Sequence, residues 1–417
     1  MSFDPDANRR RFLQYLAASP LLAAGAGSAL AETILPKPKQ PDPLMWGPFD
    51  PADLIKSPKE AINVFDFEPV CRQNVPPAHF GYMAAGIDDE VTLRANRQDF
   101  QKFQLRPRRV IDVSKASMKT EILGVTYDSP IFICPIGSNK AYNPDGEIAV
   151  AKAAKIGNHL QMLSTVATSS VEDVTAARGQ PIVQQVYATN KWEVAQTIVK
   201  NAENAGALGV AVTVDRSGGR NQETLFRLRH SDTRQCASCH DRSSLAANFA
   251  HKPNIARADL TGLKNIQSSA MSWDFFKRLR DITKMKIIIK GILAYEDAVI
   301  AADNGIDAII VSNHGGRADD AGLSTIAALP DIVEAVKGRM PILVDSGFRR
   351  GTDVIKALCM GATAVGIGRP YIWGLGAFGQ AGVERVLELL RIETLAMLQQ
   401  MGAPSIKDLK PAMVRKA

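Results

Sequence analysis

The sequence predicts an α/β chain folded as a (β/α)8 barrel, with an N-terminal arm and one long insertion after the fourth strand. Three observations predict it. Eight short runs rich in Val and Ile recur along the chain, each followed by a helix-length amphipathic segment. The runs are apolar almost throughout instead of alternating, which means burial on both faces, the property of strands in an all-parallel sheet. The length also fits: 417 residues less the first 31 leave 386, too many for one ordinary domain and enough for one large barrel with extensions.

In chain order, residues 8–14 read NRRRFLQ, and residues 16–31 form an apolar Ala/Leu stretch closing on Ala29-Leu30-Ala31. An arginine pair, a short apolar region and an A-x-A end resemble a twin-arginine export signal cleaved after Ala31, so the mature chain is expected in the periplasm. A retained membrane helix is the alternative, and Pro20 together with the short apolar length argues against it. Removing the leader takes away Arg9, Arg10 and Arg11 against Asp4 and Asp6, which lowers the net charge from +7 to +6. That charge is spread without a long basic run, which argues against nucleic-acid binding. Hydrophobic residues at 46% and charged residues at 22% exclude a disordered, collagenous or multi-span membrane chain. Residues 32–77 are proline-rich and weakly periodic, and read as an extended arm. Residues 78–417 hold the barrel.

The eight runs are PIFICPIG from Pro130, LQMLSTV from Leu160, PIVQQVY from Pro181, LGVAVTVD from Leu208, KIIIKG from Lys286, AIIVSN from Ala308, PILVDSG from Pro341 and AVGIGR from Ala364. Their starts lie 30, 21, 27, 78, 22, 33 and 23 residues apart, so every unit but the fourth is a compact strand plus helix. A doubly wound open sheet is the competing topology, weakened because no G-x-G-x-x-G follows the first run.

A parallel barrel presents its chemistry at the C-terminal ends of its strands. The polar residues ending the runs are Ser164, Gln185, Tyr187, Thr213, Asp215, Lys290, Ser312, Asn313, His314, Asp345 and Arg369. Run seven continues as Asp345-Ser346-Gly347 to Arg349 and Arg350, and run eight ends Gly366-Ile367-Gly368-Arg369-Pro370. Glycines that admit backbone N–H groups and nearby arginines suit a phosphate, and the last two strands are where this barrel holds one. Lys290 ends a run of isoleucines and needs a partner to offset its desolvation. A flavin ring, a Schiff base and a structural salt bridge are the three readings. His314 and Arg317, three residues apart after run six, suit proton removal from a bound carboxylate-bearing acid.

The motifs SNHGGR (312–317), DSGFRRGTD (345–353), IGRP (367–370), ATSSVED (167–173) and GYMAAGIDDEVTLRAN (81–96) resemble those of the FMN-dependent 2-hydroxy-acid oxidases and dehydrogenases, in order and on the expected strands. The resemblance implies that His314 is the base, with Asp215 stabilising its imidazolium. It implies that Arg317 and Arg220 clamp the substrate carboxylate, and that Tyr82 and Tyr187 donate hydrogen bonds to substrate oxygens. It implies an FMN site made by Pro135, Ile136, Gly137, Ser164, Gln185, Thr213, Lys290, Ser312, Asp345, Ser346, Gly347, Phe348, Arg349, Gly368 and Arg369. The electrons pass to FMN as a hydride or from a carbanion. Three positions depart from the pattern: Ser346 stands where Gly is usual, the Asp215 to Arg220 interval is two residues shorter, and Val166 replaces an aromatic found in some members.

The long fourth unit contains, within residues 221–270, the sequence Cys236-Ala237-Ser238-Cys239-His240. C-x-x-C-H is the attachment motif of c-type haem, two thiols bonding the vinyl groups and the histidine ligating iron. A Cys236–Cys239 disulfide and a metal site with His230 or His251 are the alternatives, and His230, His251 or Met271 is a candidate sixth iron ligand. The expectation is therefore an exported dehydrogenase that oxidises a lactate-like L-2-hydroxy acid with FMN. Its electrons leave through haem c to a soluble cytochrome or other external acceptor, and family habit suggests a homo-oligomer. Oxygen as acceptor, with peroxide as product, is one alternative; a non-catalytic flavin/haem electron carrier is another.

Overall fold

The eight apolar runs form eight parallel strands: β1 (Ile131–Ile133), β2 (Met162–Leu163), β3 (Val183–Tyr187), β4 (Gly209–Thr213), β5 (Lys286–Ile292), β6 (Ala308–Val311), β7 (Ile342–Val344) and β8 (Ala364–Ile367). This computed structural model describes residues 51–232, 241 and 243–417. Each strand from β2 onward pairs in parallel with the next, and β8 pairs back onto β1 with Val365 opposite Ile131. A parallel bridge between Ile133 and Gln161 joins β1 to the start of β2 and closes the ring. The fold is a (β/α)8 barrel.

β-branched residues dominate the strands because both faces are covered, and the interior packs Phe132, Met162, Val183, Ala211, Ile288, Ile310 and Leu343 into one cluster. A hairpin of Thr120–Ile122 and Val125–Tyr127 precedes β1 and adds Ile122, Leu123 and Tyr127 to that cluster, plugging the N-terminal end. The polar mouth is thereby left at the other end.

The helices follow from local signals. In ATSSVED the Ser170 hydroxyl accepts from the Asp173 N–H at 3.1 Å and caps Val171–Arg178, which stops at Gly179 with φ +70°. The long helix Arg369–Gln400 bends where Phe378 and Gly379 leave helical geometry. Against its first half packs Phe67–Asn74, with Cys71 beside Gly376, where a Cβ would lie 2.5 Å from the sulfur.

The segment read as an extended arm is helical in part. Over residues 51–77 it forms short 3-10 turns at Pro51–Asp53, Pro58–Glu60 and Val64–Asp66, then Phe67–Asn74, and Pro77 opens the helix Pro77–Ala84. Proline at a first helical position costs no hydrogen bond, so these prolines start helices instead of excluding them. The insertion after β4 contributes Glu223–His230, Leu245–Ala250 and Pro253–Ala256 before the barrel helix Asp274–Ile282. Glu223–His230 packs on Pro77–Ala84, and Asn254 joins the insertion to β2 by accepting from Val171 N–H and donating to Ser164 and Ser169 carbonyls. Cys236, Cys239 and His240 lie outside the described residues.

Candidate active site

A cleft opens at the C-terminal ends of the strands. Its wall holds Tyr82, Tyr187, Arg220, His314 and Arg317, and also Pro135, Ile136, Gly137, Ser164, Lys290, Asp345, Ser346, Gly347, Phe348, Arg349, Gly368 and Arg369. Residues separated by almost 290 positions converge because each strand ends at the same rim.

His314 follows β6 with φ +59°, a left-handed backbone that a side-chain-bearing residue holds at a cost of roughly 1–3 kcal/mol. The turn is fixed by its N–H donating to Ser312 Oγ at 3.1 Å. Its ring then meets Asp215, with Nδ1 2.8 Å from Oδ1. Asp215 occupies the space beside Gly291, at the bulge in β5, where a Cβ would come within 2.7 Å of the aspartate Cβ. Burial pushes the His314 ring down to about 4, against the opposing pull of Asp215. Burial pushes the Asp215 carboxyl up, but His314, Lys290 and Arg216 outweigh it and hold the group below its ordinary range. His314 is therefore neutral at physiological pH. With the Nδ1 hydrogen directed at the carboxylate, Nε2 keeps a free lone pair for a proton. Asp215 backs the histidine and does not itself line the cleft.

Arg317 and Arg369 are both held by the end of the helix Pro77–Ala84. Arg317 Nη1 donates to the carbonyls of Tyr82 and, at 3.1 Å, Ala85, and its guanidinium lies 5.0 Å over the Tyr82 ring. Arg369 Nε donates to Met83 O at 3.0 Å, Nη1 to Gly315 O at 2.8 Å and Nη2 to the Ala84 and Ala85 carbonyls. The Arg369 side chain, expected as a cofactor contact, thus ties strand ends together, while its backbone begins a helix whose positive dipole end meets the cleft. Arg349 N–H and Arg350 N–H both donate to Asp353 Oδ2 at 3.0 Å, so those two amides are committed inside the protein.

Lys290 lies two residues before the end of β5, with its Nζ 2.8 Å from Ser312 Oγ and 3.3 Å from Asp345 Oδ2, all three side chains buried. Burial pulls the ammonium down, but Asp345 and Asp215 outweigh it and hold it above the ordinary lysine range. The salt bridge and a position in the cleft wall coexist.

Three expected cofactor contacts, Gln185, Thr213 and Ser312, are not in the wall of this cleft. They are buried and hydrogen-bonded to neighbours, Gln185 Nε2 donating to Thr213 Oγ1 at 3.0 Å and Ser312 Oγ donating to Asp345 Oδ1 at 2.6 Å. Buried polar groups satisfy one another there before any ligand arrives.

Arg216, next to Asp215, lines the same cleft and was not read from the sequence. Its Nη1 donates to the Tyr187 hydroxyl at 3.0 Å, leaving that hydroxyl's own hydrogen for a ligand. The shortened Asp215–Arg220 interval was the available signal. Around Tyr82, burial raises the phenol while Arg317, Arg216, Arg220 and Lys252 together pull it below its ordinary value.

The family described as FMN-dependent dehydrogenase matches residues 71–416. The chain belongs to this family. It is 37% identical to a peroxisomal (S)-2-hydroxyacid oxidase of Arabidopsis thaliana over 362 residues, 85% of this chain and 97% of the relative. It is 38% identical to glycolate oxidase 1 of Zea mays over 363 residues, 84% and 94% of the two chains. Among solved structures it is similar to a mutant flavocytochrome b2 with pyruvate bound, at TM-score 0.76, 31% identity and coverage of 87% and 88%. The (S)-mandelate dehydrogenase of Pseudomonas putida, in a soluble mutant form, gives TM-score 0.77 at 32% identity, covering 85% and 99%.

The residues present fit FMN. Gly347, with φ +89°, passes so close to Asn96 that a Cβ would lie 2.0 Å from its carbonyl oxygen, and the neighbouring Arg349 is buried at the β7 end. Pro135, Ile136, Gly137 and Ser164 also line the cleft and add largely apolar surface to it. FMN-dependent oxidation of a 2-hydroxy acid is the chain's activity at this level of description.

Proposed function

We propose that the protein oxidises a small L-2-hydroxy acid to the 2-oxo acid in the periplasm and delivers the electrons, through a haem c on Cys236 and Cys239 with His240 as iron ligand, to an external acceptor. The observation that carries the chemistry is the neutral His314, set 2.8 Å from Asp215 in a cleft walled by arginines. Arg317 and Arg220 hold the substrate carboxylate, and Tyr82 and Tyr187 hydrogen-bond its oxygens. His314 Nε2 takes one of the two hydrogens of the HC–OH group as a proton, the other leaving with the two electrons, and Asp215 stabilises the resulting imidazolium. Bound FMN supplies the acceptor for the two electrons. Lys290 is held at the cleft wall as a permanent positive charge and stabilises negative charge placed against it.

The haem part of the reading is supported by the C-x-x-C-H sequence and by its neighbours. Asp232, just before the motif, accepts from Ala78 N–H at 3.1 Å, and the preceding helix Glu223–His230 packs on the helix that carries Tyr82. The chain thus leaves for the motif from the mouth of the barrel. The leader motif supports export. The oxidases among the relatives support a second reading, in which oxygen takes the electrons and peroxide forms.

A visible spectrum of protein matured in the periplasm, before and after anaerobic addition of a 2-hydroxy acid, separates the two. The first reading expects flavin bleaching together with reduced-haem bands that survive denaturation and disappear in the Cys236→Ala, Cys239→Ala double variant. A flavin spectrum alone, with one peroxide per turnover in air, contradicts it and establishes the second.

A further inference from the structure

We propose that Arg216 is a positioning residue for the reaction: it fixes the Tyr187 hydroxyl as a hydrogen-bond donor toward the substrate and strengthens that donor, without touching the substrate itself. The proposal rests on the oxidation of a 2-hydroxy acid at this cleft and adds to it the group that acts behind Tyr187.

The end of β4 places the residue. Val214 N–H donates to Lys290 O at 2.9 Å, which ties the chain just past β4 to β5. From there two adjacent side chains reach different strand ends: Asp215 meets His314 after β6, and Arg216 meets Tyr187 at the end of β3. A single dipeptide thus orients both the proton acceptor of the site and one of its donors.

Arg216 keeps its charge in this place. Burial works against the guanidinium, but Tyr187, Tyr82 and the Asp215 carboxylate outweigh it and hold the group above its ordinary range. The cation is therefore balanced inside the protein and needs no bound anion to stabilise it.

Its effect falls on Tyr187, which is buried and lines the cleft. Arg216 Nη1 donates to the Tyr187 hydroxyl at 3.0 Å, and the guanidinium lies 5.0 Å over the same ring. The hydroxyl makes no other hydrogen bond among the described residues. A phenol oxygen that accepts from a cation cannot turn its hydrogen back on that cation, so the hydrogen takes the other in-plane orientation. Hydrogen bonds in a chain polarise one another, and a charged first donor strengthens the second bond. As His314 takes a proton, negative charge builds on the oxygen of the HC–OH group, and a donor oriented beforehand stabilises it without reorganising. Arg317 and Arg220 are left to hold the carboxylate, so the contribution of Arg216 falls on the reaction step and not on binding.

The test is a double-mutant cycle over Arg216→Leu and Tyr187→Phe in FMN-loaded protein, with anaerobic flavin reduction by L-lactate, L-2-hydroxybutyrate and L-2-hydroxyvalerate. Arg216→Leu is expected to lower the limiting reduction rate at least about tenfold when Tyr187 is present and less than about threefold when it is already Phe, with the half-saturating concentration held within about threefold. An equal loss of rate in both backgrounds means that Arg216 acts on the substrate directly, and a loss confined to the half-saturating concentration means that it serves binding alone; either overturns the proposal. Arg216→Gln, neutral but polar, repeats the cycle under the same criteria if the leucine variant does not retain FMN. A second readout needs no turnover. In protein labelled with 3-fluorotyrosine, the fluorine NMR line that disappears in Tyr187→Phe belongs to Tyr187, one of seven tyrosines. That line should shift in Arg216→Leu, and an unshifted line overturns the proposal. If no acid reduces the flavin, the oxidation reading is what fails, and the fluorine line alone then decides whether Arg216 sets the Tyr187 hydroxyl.

Discussion

His314 Nδ1 stands 2.8 Å from Asp215 Oδ1, a contact between the ends of β6 and β4 made across 99 residues of chain. The carboxylate orients the imidazole and fixes its tautomer, and burial keeps the ring neutral. A base so placed contributes about 10²- to 10⁴-fold to rate. His314→Ala is expected to slow flavin reduction by that factor while flavin content stays near one per chain. Stopped-flow absorbance with the FMN content measured in parallel checks both halves, and reduction at the wild-type rate would remove His314 from the reaction.

The pH dependence follows from the same ring. His314 works only when neutral, and its folded value of about 4 lies below the ordinary 6.5. The kcat/KM should therefore hold on acidification through pH 6 and fall only as the pH approaches 4. Stability has the matching sign. Between about 6.5 and 4 the unfolded chain binds a proton at this residue that the folded one does not, so this contribution to stability declines as pH falls through that window. A rate profile breaking near 6.5 would show the ring to be solvated instead.

Lys290 and Asp345 face each other at 3.3 Å, with about 5% of either side chain exposed. Removing one partner of such a pair strands the other charge and costs about 3–5 kcal/mol. Lys290→Met should lower the thermal midpoint sharply even without ligand, and the double variant Lys290→Met, Asp345→Leu should recover part of the loss. Additive losses in the double variant, measured by denaturant unfolding, would mean that the two groups are not coupled.

Much of this architecture is legible in the sequence because apolar β-branched runs mark doubly buried strands, and because a barrel sends every strand end to one rim. His314, Asp215, Arg317 and Lys290 could be placed on that logic. What could not be read is which rim residues face the cleft and which satisfy one another instead. Gln185, Thr213 and Ser312 have side-chain partners contributed by neighbouring strands, which residue type alone does not reveal. Arg216 and Lys252 were hidden for a different reason. One follows a shortened loop whose path is not periodic, and the other reaches the site from an insertion 37 residues beyond Asp215. Proline content misled in residues 51–77, where prolines open helices.

Gly347 has φ +89°, and a Cβ there would lie 2.0 Å from the Asn96 carbonyl oxygen. Gly347→Ala is expected to cost at least about 1–3 kcal/mol and to lower FMN content, since the loop carrying Arg349 must move. Quantifying flavin released from purified variant and wild type checks it. Full flavin content at unchanged stability would show the loop to be more yielding than its contacts suggest.

The central claim is that this cleft oxidises a 2-hydroxy acid with bound FMN, using His314 as the base. The measurement that tests it most directly is anaerobic mixing of the FMN-loaded protein with an excess of each of several L-2-hydroxy acids, following flavin absorbance and 2-oxo acid together. The account predicts complete bleaching with one 2-oxo acid formed per flavin, slowed at least about a hundredfold in His314→Ala. A flavin that stays oxidised with every acid, or an alanine variant that bleaches as fast as the wild type, would contradict it.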